Sequence, residues 1–119
     1  MKHLISKSFT FEAAHSLKIT KNKANENIHG HSFYVTISFE GKINKNGIIY
    51  DFLEINKLIR IAKKKLDHKY LNDIHGLENP TLENIGSWIW NIFSKKQYTP
   101  FELEVSRKSC FESFKIRAD

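Results

Sequence analysis

The stretch Ile28-His29-Gly30-His31-Ser32-Phe33-Tyr34-Val35-Thr36-Ile37-Ser38-Phe39-Glu40-Gly41 decides the fold. Phe33, Val35, Ile37 and Phe39 occupy odd positions, and Ser32, Thr36, Ser38 and Glu40 occupy even ones. Side chains alternate across a strand, so this pattern predicts a strand from about Ile28 to Gly41 with one apolar and one polar face. His29 and His31 share the parity of the apolar set. Two imidazoles two residues apart on a strand lie on one side and can converge on one ion.

On the N-terminal side, a strand is expected from about Ile5 to His15. Ile5, Phe9, Phe11, Ala13 and His15 share one parity, and Ser6, Ser8, Thr10 and Glu12 take the other. A polar loop, Lys18 to Asn27, joins the two segments. If they pair, His15, His29 and His31 meet on one face, provided no bulge shifts the register. Three neutral imidazoles with an open fourth position suit a catalytic zinc ion better than a structural clip. These three histidines are the candidate zinc ligands.

On the C-terminal side, Asn46-Gly47 is a turn signal, with Ile48 to Tyr50 as a candidate short strand. Asp51-x-x-Glu54 resembles a capping box. Phe52, Ile55, Leu58, Ile59, Ala62 and Leu66 then recur at helical spacing. A loop from Asp67 to Asn79 follows. Asn79-Pro80 reads as an N-cap with proline at the first helical position, and Leu82, Ile85, Trp88, Ile89, Ile92 and Phe93 form the stripe of a second helix. Phe101, Leu103 and Val105 alternate as a strand, and a weaker strand spans Phe111 to Ile116. The order is β-β-α-α-β-β, an α+β class with two helices on one face of an antiparallel sheet.

The 119 residues suit one domain, residues 1–119. No run of 18 apolar residues occurs, so no membrane helix is expected. Met1 to Lys7 lacks an apolar secretory core. The single cysteine, Cys110, excludes an internal disulfide and fits a reducing cytoplasm. The net charge of +6 is compatible with a polyanionic partner, although a solvated lysine-rich surface gives the same sum. No aromatic-basic ribonucleoprotein motif or zinc-finger spacing accompanies the charge, so a nucleic-acid partner is not expected.

Phe11-Glu12-Ala13-Ala14-His15, Ile28 to Phe33, Asp51-Phe52, Leu66 to Asp73 and Glu78-Asn79-Pro80-Thr81, in that order, resemble the tetrahydropterin synthase family. The resemblance is nearest to 6-carboxytetrahydropterin synthase of queuosine biosynthesis, a relative of 6-pyruvoyltetrahydropterin synthase. It implies the tunnelling fold (T-fold), a homo-hexamer of two stacked trimers, and zinc on His15, His29 and His31. It also implies a lyase acting on 7,8-dihydroneopterin triphosphate, with the pair Asp67-His68 carrying protons at a subunit boundary. A triphosphate substrate would give Lys18, Lys21 and Lys23 a use as phosphate contacts.

Two positions depart from the family pattern. Queuosine-type members place a thiol four residues before the first histidine of His-Gly-His, where this chain has Asn25. A neutral amide is no base, which leaves the adjacent Glu26 as candidate. Some relatives use a glutamate near this place, one residue out of register with Glu26, and release a hydroxymethyl-pterin. In the C-terminal strand, Arg107 stands where the family usually grips the pterin with a glutamate. Either Glu104 or Glu112 takes that role, or the substrate differs, since arginine suits a carboxylate or phosphate. The alternatives to the queuosine-type reaction are therefore a related enzyme making a 6-pyruvoyl- or 6-hydroxymethyl-pterin, or a non-catalytic zinc-binding paralogue.

Overall fold

In the computed structural model, which describes residues 1–18, 22–95 and 98–119, β1 (Leu4–His15) and β2 (His29–Glu40) form the centre of a five-stranded sheet. They pair antiparallel over twelve residues, from Leu4 with Glu40 to His15 with His29. α1 (Phe52–Leu66), β3 (Lys69–Tyr70), α2 (Leu82–Ser94), β4 (Pro100–Arg107) and β5 (Glu112–Arg117) follow. The sheet order is β3-β1-β2-β4-β5, with the short β3 parallel to β1 and every other pairing antiparallel.

The parity read from the sequence separates the two faces. Phe9, Phe11, Ala13, Phe33, Val35, Ile37, Phe39, Leu103 and Val105 are buried in one cluster with the apolar faces of both helices. α1 contributes Ile55, Ile59, Ala62 and Leu66, and α2 contributes Leu82, Ile85, Ile89 and Phe93. The other face carries hydroxyl pairs, Ser6 with Ser38 at 2.7 Å and Ser8 with Thr36 at 2.8 Å. The β2–β4 register shifts between Ser38 and Phe39, at the far end of β2 from the histidines.

Three local expectations need correction. Ile48 to Tyr50 is not a strand. Asn44 closes a small loop there, its side-chain oxygen accepting from the N–H groups of Asn46 and Ile48. The second helix is capped by Thr81, whose hydroxyl accepts from the Asn84 N–H at 3.1 Å, and Asn79-Pro80 lie before it. The segment Asp67 to Asn79 is more than a loop: it holds β3 and a 3₁₀ turn at Leu71–Asp73.

Candidate metal centre

Antiparallel pairing places His29 directly across from His15, while His31 lies across from Ala13, two residues along on the same face. The three rings stand nearly perpendicular to one another, with centroids 4.6 Å, 4.9 Å and 4.8 Å apart. Phe33, fully buried, forms the floor against His15 and His31. One nitrogen from each ring can be chosen so that all three lie within 4.8 Å of one another.

The hydrogen bonds fix which nitrogens face inward. His15 Nδ1 lies 3.0 Å from the Pro80 carbonyl oxygen, and His29 Nδ1 lies 2.7 Å from that of Asn27. A carbonyl only accepts, so both Nδ1 atoms carry hydrogen and both Nε2 atoms present lone pairs. Those two Nε2 atoms are 3.0 Å apart. Two lone pairs facing at that distance repel unless a cation shares them. His31 Nε2 is also buried and has no hydrogen-bond partner among the described residues. Backbone carbonyls on the outer nitrogens, with unprotonated inner ones, are the environment of metal-bound histidines. The donor set therefore fits zinc.

The electrostatics agree. Burial lowers the His15 pKa to about 4 against the opposing Pro80 hydrogen bond, with smaller contributions from His29, His31 and Arg107 in the same direction as burial. Burial also lowers that of His31, helped by the Arg107 and His29 charges and opposed by Glu112. Both rings are thus held in the neutral, ligating form.

Asn72 secures the end of β1. Its side-chain oxygen accepts from the Ser16 N–H at 3.0 Å, and its amide donates to the carbonyls of Ser16 at 2.9 Å and Glu78 at 3.3 Å. This ties the chain just after His15 to the segment leading into Pro80. Ser16 is fully buried, and its hydroxyl lies 2.8 Å from that of Tyr70 on β3. Sequence reading missed these supports. Asn72 was visible only as a member of the Leu66–Asp73 block, and a carbonyl such as that of Pro80 leaves no sequence signal.

The structure also joins Asp67 to His68. Asp67 Oδ2 lies 3.0 Å from His68 Nδ1, and its Oδ1 accepts from the Glu12 N–H at 2.8 Å. That backbone bond, aided by His68 and Lys63 against a smaller opposing effect of burial, holds the Asp67 carboxyl below its ordinary pKa. His68 adopts a left-handed φ of 59° and donates its N–H to the Glu12 carbonyl. Such backbone is uncommon outside glycine and persists where its surroundings enforce it. The His68 side chain is 80% exposed. It lines the same open depression, about 580 Å³, as His31, Glu12 and Tyr70.

The remaining sequence candidates separate. Glu26 is exposed, in a 3₁₀ turn (Lys23–Glu26) just before Asn27. The carbonyl of Asn25 accepts from the Leu17 N–H at 2.6 Å. Lys18 and Lys23 are exposed, and Lys21 lies outside the described residues. Glu104 falls on the polar face, opposite the histidines, and pairs with Lys115 at 3.5 Å. Arg107 follows Leu103 and Val105 on the core-facing side and pairs with Glu112.

A sequence model of the family 6-pyruvoyl tetrahydropterin synthase matches residues 4–119. The chain is 38% identical over 112 residues to the dihydroneopterin monophosphate aldolase of Pyrococcus furiosus, covering 94% of this chain and 91% of that protein. It is 41% identical over 93 residues to the 6-carboxy-5,6,7,8-tetrahydropterin synthase of Synechocystis sp., covering 73% and 71%. The solved structure of Caenorhabditis elegans 6-pyruvoyl tetrahydropterin synthase superposes with a TM-score of 0.86 at 18% identity, over 100% of this chain and 97% of that one. That likeness establishes the tunnelling fold expected from the sequence.

Proposed function

Because the chain belongs to the 6-pyruvoyl tetrahydropterin synthase family, we propose that it is a zinc-dependent lyase acting on the side chain of a phosphorylated 7,8-dihydroneopterin. The observation that carries this reading is the convergence of unprotonated imidazole nitrogens on one point beside an open depression. His15, His29 and His31 would hold the ion. Bound zinc supplies Lewis acidity toward a side-chain hydroxyl of the substrate.

The chain's own groups move the protons. Asp67 accepts a hydrogen bond from His68 Nδ1–H, so His68 Nε2 is left to accept or return a proton. The low Asp67 pKa keeps that carboxylate ionised, and it stabilises the imidazolium that forms. Glu26 is the second base in this proposal, set three residues before His29 on the turn that carries Asn27.

We favour carbon–carbon cleavage. A base removes the proton of the 2′-hydroxyl, and the C1′–C2′ bond breaks. Its electron pair enters the ring imine, and protonation at C1′ completes a hydroxymethyl-dihydropterin. The other product is a two-carbon aldehyde phosphate. Two observations support this outcome. Asn25 removes the thiol expected at that position, and Cys110 is exposed on the turn between β4 and β5. A relative covering nearly the full chain is a dihydroneopterin monophosphate aldolase. The second reading is a 6-carboxytetrahydropterin synthase, releasing triphosphate and acetaldehyde and supported by the Synechocystis relative.

A homo-hexamer of two trimers and a cytoplasmic setting belong to the same proposal. Among the described residues, the outer edge of β1 is paired only at Ala13 and Ala14, and β5 forms the other edge of the sheet. Open edges at both ends favour edge-to-edge assembly of copies. No described helix is long and apolar enough to cross a membrane.

The test incubates zinc-loaded protein with dihydroneopterin monophosphate and triphosphate, with products identified by mass spectrometry. Hydroxymethyl-dihydropterin with the two-carbon aldehyde phosphate is expected. A 6-carboxytetrahydropterin would select the second reading. No turnover above a His31→Ala control would refute both.

A further inference from the structure

The helix layer carries a groove that the proposed chemistry leaves without a task. It encloses about 470 Å³ between α1 and α2. Ile61 and Lys65 of α1 form one wall, and Trp88, Ile92 and Lys95 at the end of α2 form the other. On each helix these residues recur three or four positions apart, which places them on one face. Ile61 is 42% exposed, while its neighbours Ile59 and Ala62 turn to the core. Trp88 is fixed in place by the loop before α2. Its indole N–H donates to the His75 carbonyl at 3.3 Å. A Cβ on Gly76 would stand 3.2 Å from Trp88 Cδ1, and Gly76 has a φ of 90°, so glycine permits both the turn and the close approach. The half-buried indole is thereby held as the floor of the groove.

The rim of this groove is cationic. Lys65 and Lys95 are exposed on either side of the apolar floor, and no described Asp or Glu lines it. Among the described residues, neither lysine forms an ion pair. Arg60 and Lys64 add two more exposed cations to the outer face of α1. A lysine near the C-terminal end of a helix favours the dipole, which accounts for each cation singly. It does not account for an exposed isoleucine and a fixed tryptophan between them. Apolar surface rimmed by charge marks a place where another molecule binds.

We propose that the groove docks an acidic segment of a partner protein. An apolar side chain of that segment inserts between Ile61, Trp88 and Ile92, and its carboxylates meet Lys65 and Lys95. An amphipathic segment laid in an apolar groove is a recurrent mode of peptide recognition. Charge complementarity selects this occupant. A second copy of a chain with net charge +6 would bring cations to cations. A lipid surface would need a protruding apolar ridge, whereas Trp88 and Ile92 are half-buried between the helices. The groove shares no lining residue with the depression that holds His31 and His68, so docking leaves the metal centre open. The proposal therefore does not rest on the pterin reading.

The experiment selects a random peptide library, displayed on phage, against the zinc-loaded protein. Recovered peptides are then synthesised and titrated by fluorescence anisotropy. Sequences with aspartate or glutamate flanking an aliphatic or aromatic anchor are expected. Joint replacement Lys65→Glu and Lys95→Glu sets like charges together and should weaken these peptides by about 10- to 100-fold. Joint replacement Lys65→Gln and Lys95→Gln should give a smaller loss in the same direction. Ile61→Asp should weaken them by about 10-fold or more with the lysines intact, because it removes the anchor's contact. All three variants should keep wild-type zinc content and cooperative unfolding, which separates lost docking from lost fold. Recovery of no binders, recovery of basic or uncharged ones, or titrations unchanged in the variants would overturn the proposal. So would an altered oligomeric state of Ile61→Asp in sedimentation, which would assign the groove to a second copy. Binding to phosphatidylserine vesicles that is tighter than to any peptide and lost in the same variants would also overturn it, in favour of a membrane surface.

Discussion

Replacing Asn72 by alanine should weaken both the fold and its hold on metal, without touching a ligand. Asn72 makes three hydrogen bonds, two to the backbone of Ser16 and one to the Glu78 carbonyl. Ser16 is fully buried, so alanine leaves its N–H and carbonyl without these partners. Each intact bond is worth about 1 kcal/mol net, and an orphaned buried group costs about 1–3 kcal/mol. The expected loss is about 3 kcal/mol, a large part of the stability of a domain this size. The same bonds tie the end of β1 to the segment ending at Pro80, whose carbonyl orients His15. Losing an outer partner of a metal-bound histidine typically lowers affinity about 10- to 100-fold. Urea denaturation of metal-free protein measures the first effect, and competition with a chromophoric chelator measures the second. A stability change under about 0.5 kcal/mol would refute the bonding account. A large loss of stability with unchanged zinc affinity would refute the link between Asn72 and His15.

Three further outcomes follow. In metal-free protein, the His15 pKa near 4 lies below its ordinary value of 6.5, so the unfolded chain binds the extra proton. Stability is full above pH 6.5 and falls as pH drops toward 4, by about 3 kcal/mol in total; denaturation profiles should show this in wild type, and a profile identical in His15→Asn would contradict it. Gly86 on α2 has no room for a side chain, since a Cβ there would lie 2.6 Å and 2.8 Å from ring atoms of Phe114. Gly86→Ala gains about 1 kcal/mol of helix propensity and loses about 1–3 kcal/mol to overpacking, so a lower denaturation midpoint is expected, and equal or greater stability would show that Phe114 yields freely. Glu26→Gln should lower kcat by about 100-fold or more with little change in KM, and unaltered turnover would remove Glu26 from the proton path.

The sheet was legible because its pattern is local. Alternation in β1 and β2 defined the buried face, and the parity of His15, His29 and His31 placed all three rings on it. What stayed hidden depends on contacts distant in sequence. β3 is two residues long and exists only because Lys69 and Tyr70 pair with Ala13 and Ala14. Ile48 to Tyr50 has the composition of a strand, yet Tyr50 donates its hydroxyl to the Glu40 carbonyl and Asn44 closes the preceding turn. The Asn79-Pro80 pair imitates a helix start, but the Pro80 carbonyl is engaged by His15 and Thr81 takes the cap. Arg107 was visible as an unexpected residue, whereas its pairing with Glu112 required the β4–β5 register.

Zinc content of the purified chain, measured beside His29→Ala and with the coordination shell read by X-ray absorption, tests the central claim most directly. The account predicts one zinc per chain in the wild type, three imidazole nitrogens with a further light-atom ligand, and loss of most zinc in His29→Ala. Full zinc occupancy in His29→Ala, or a shell containing sulfur from Cys110, would contradict it.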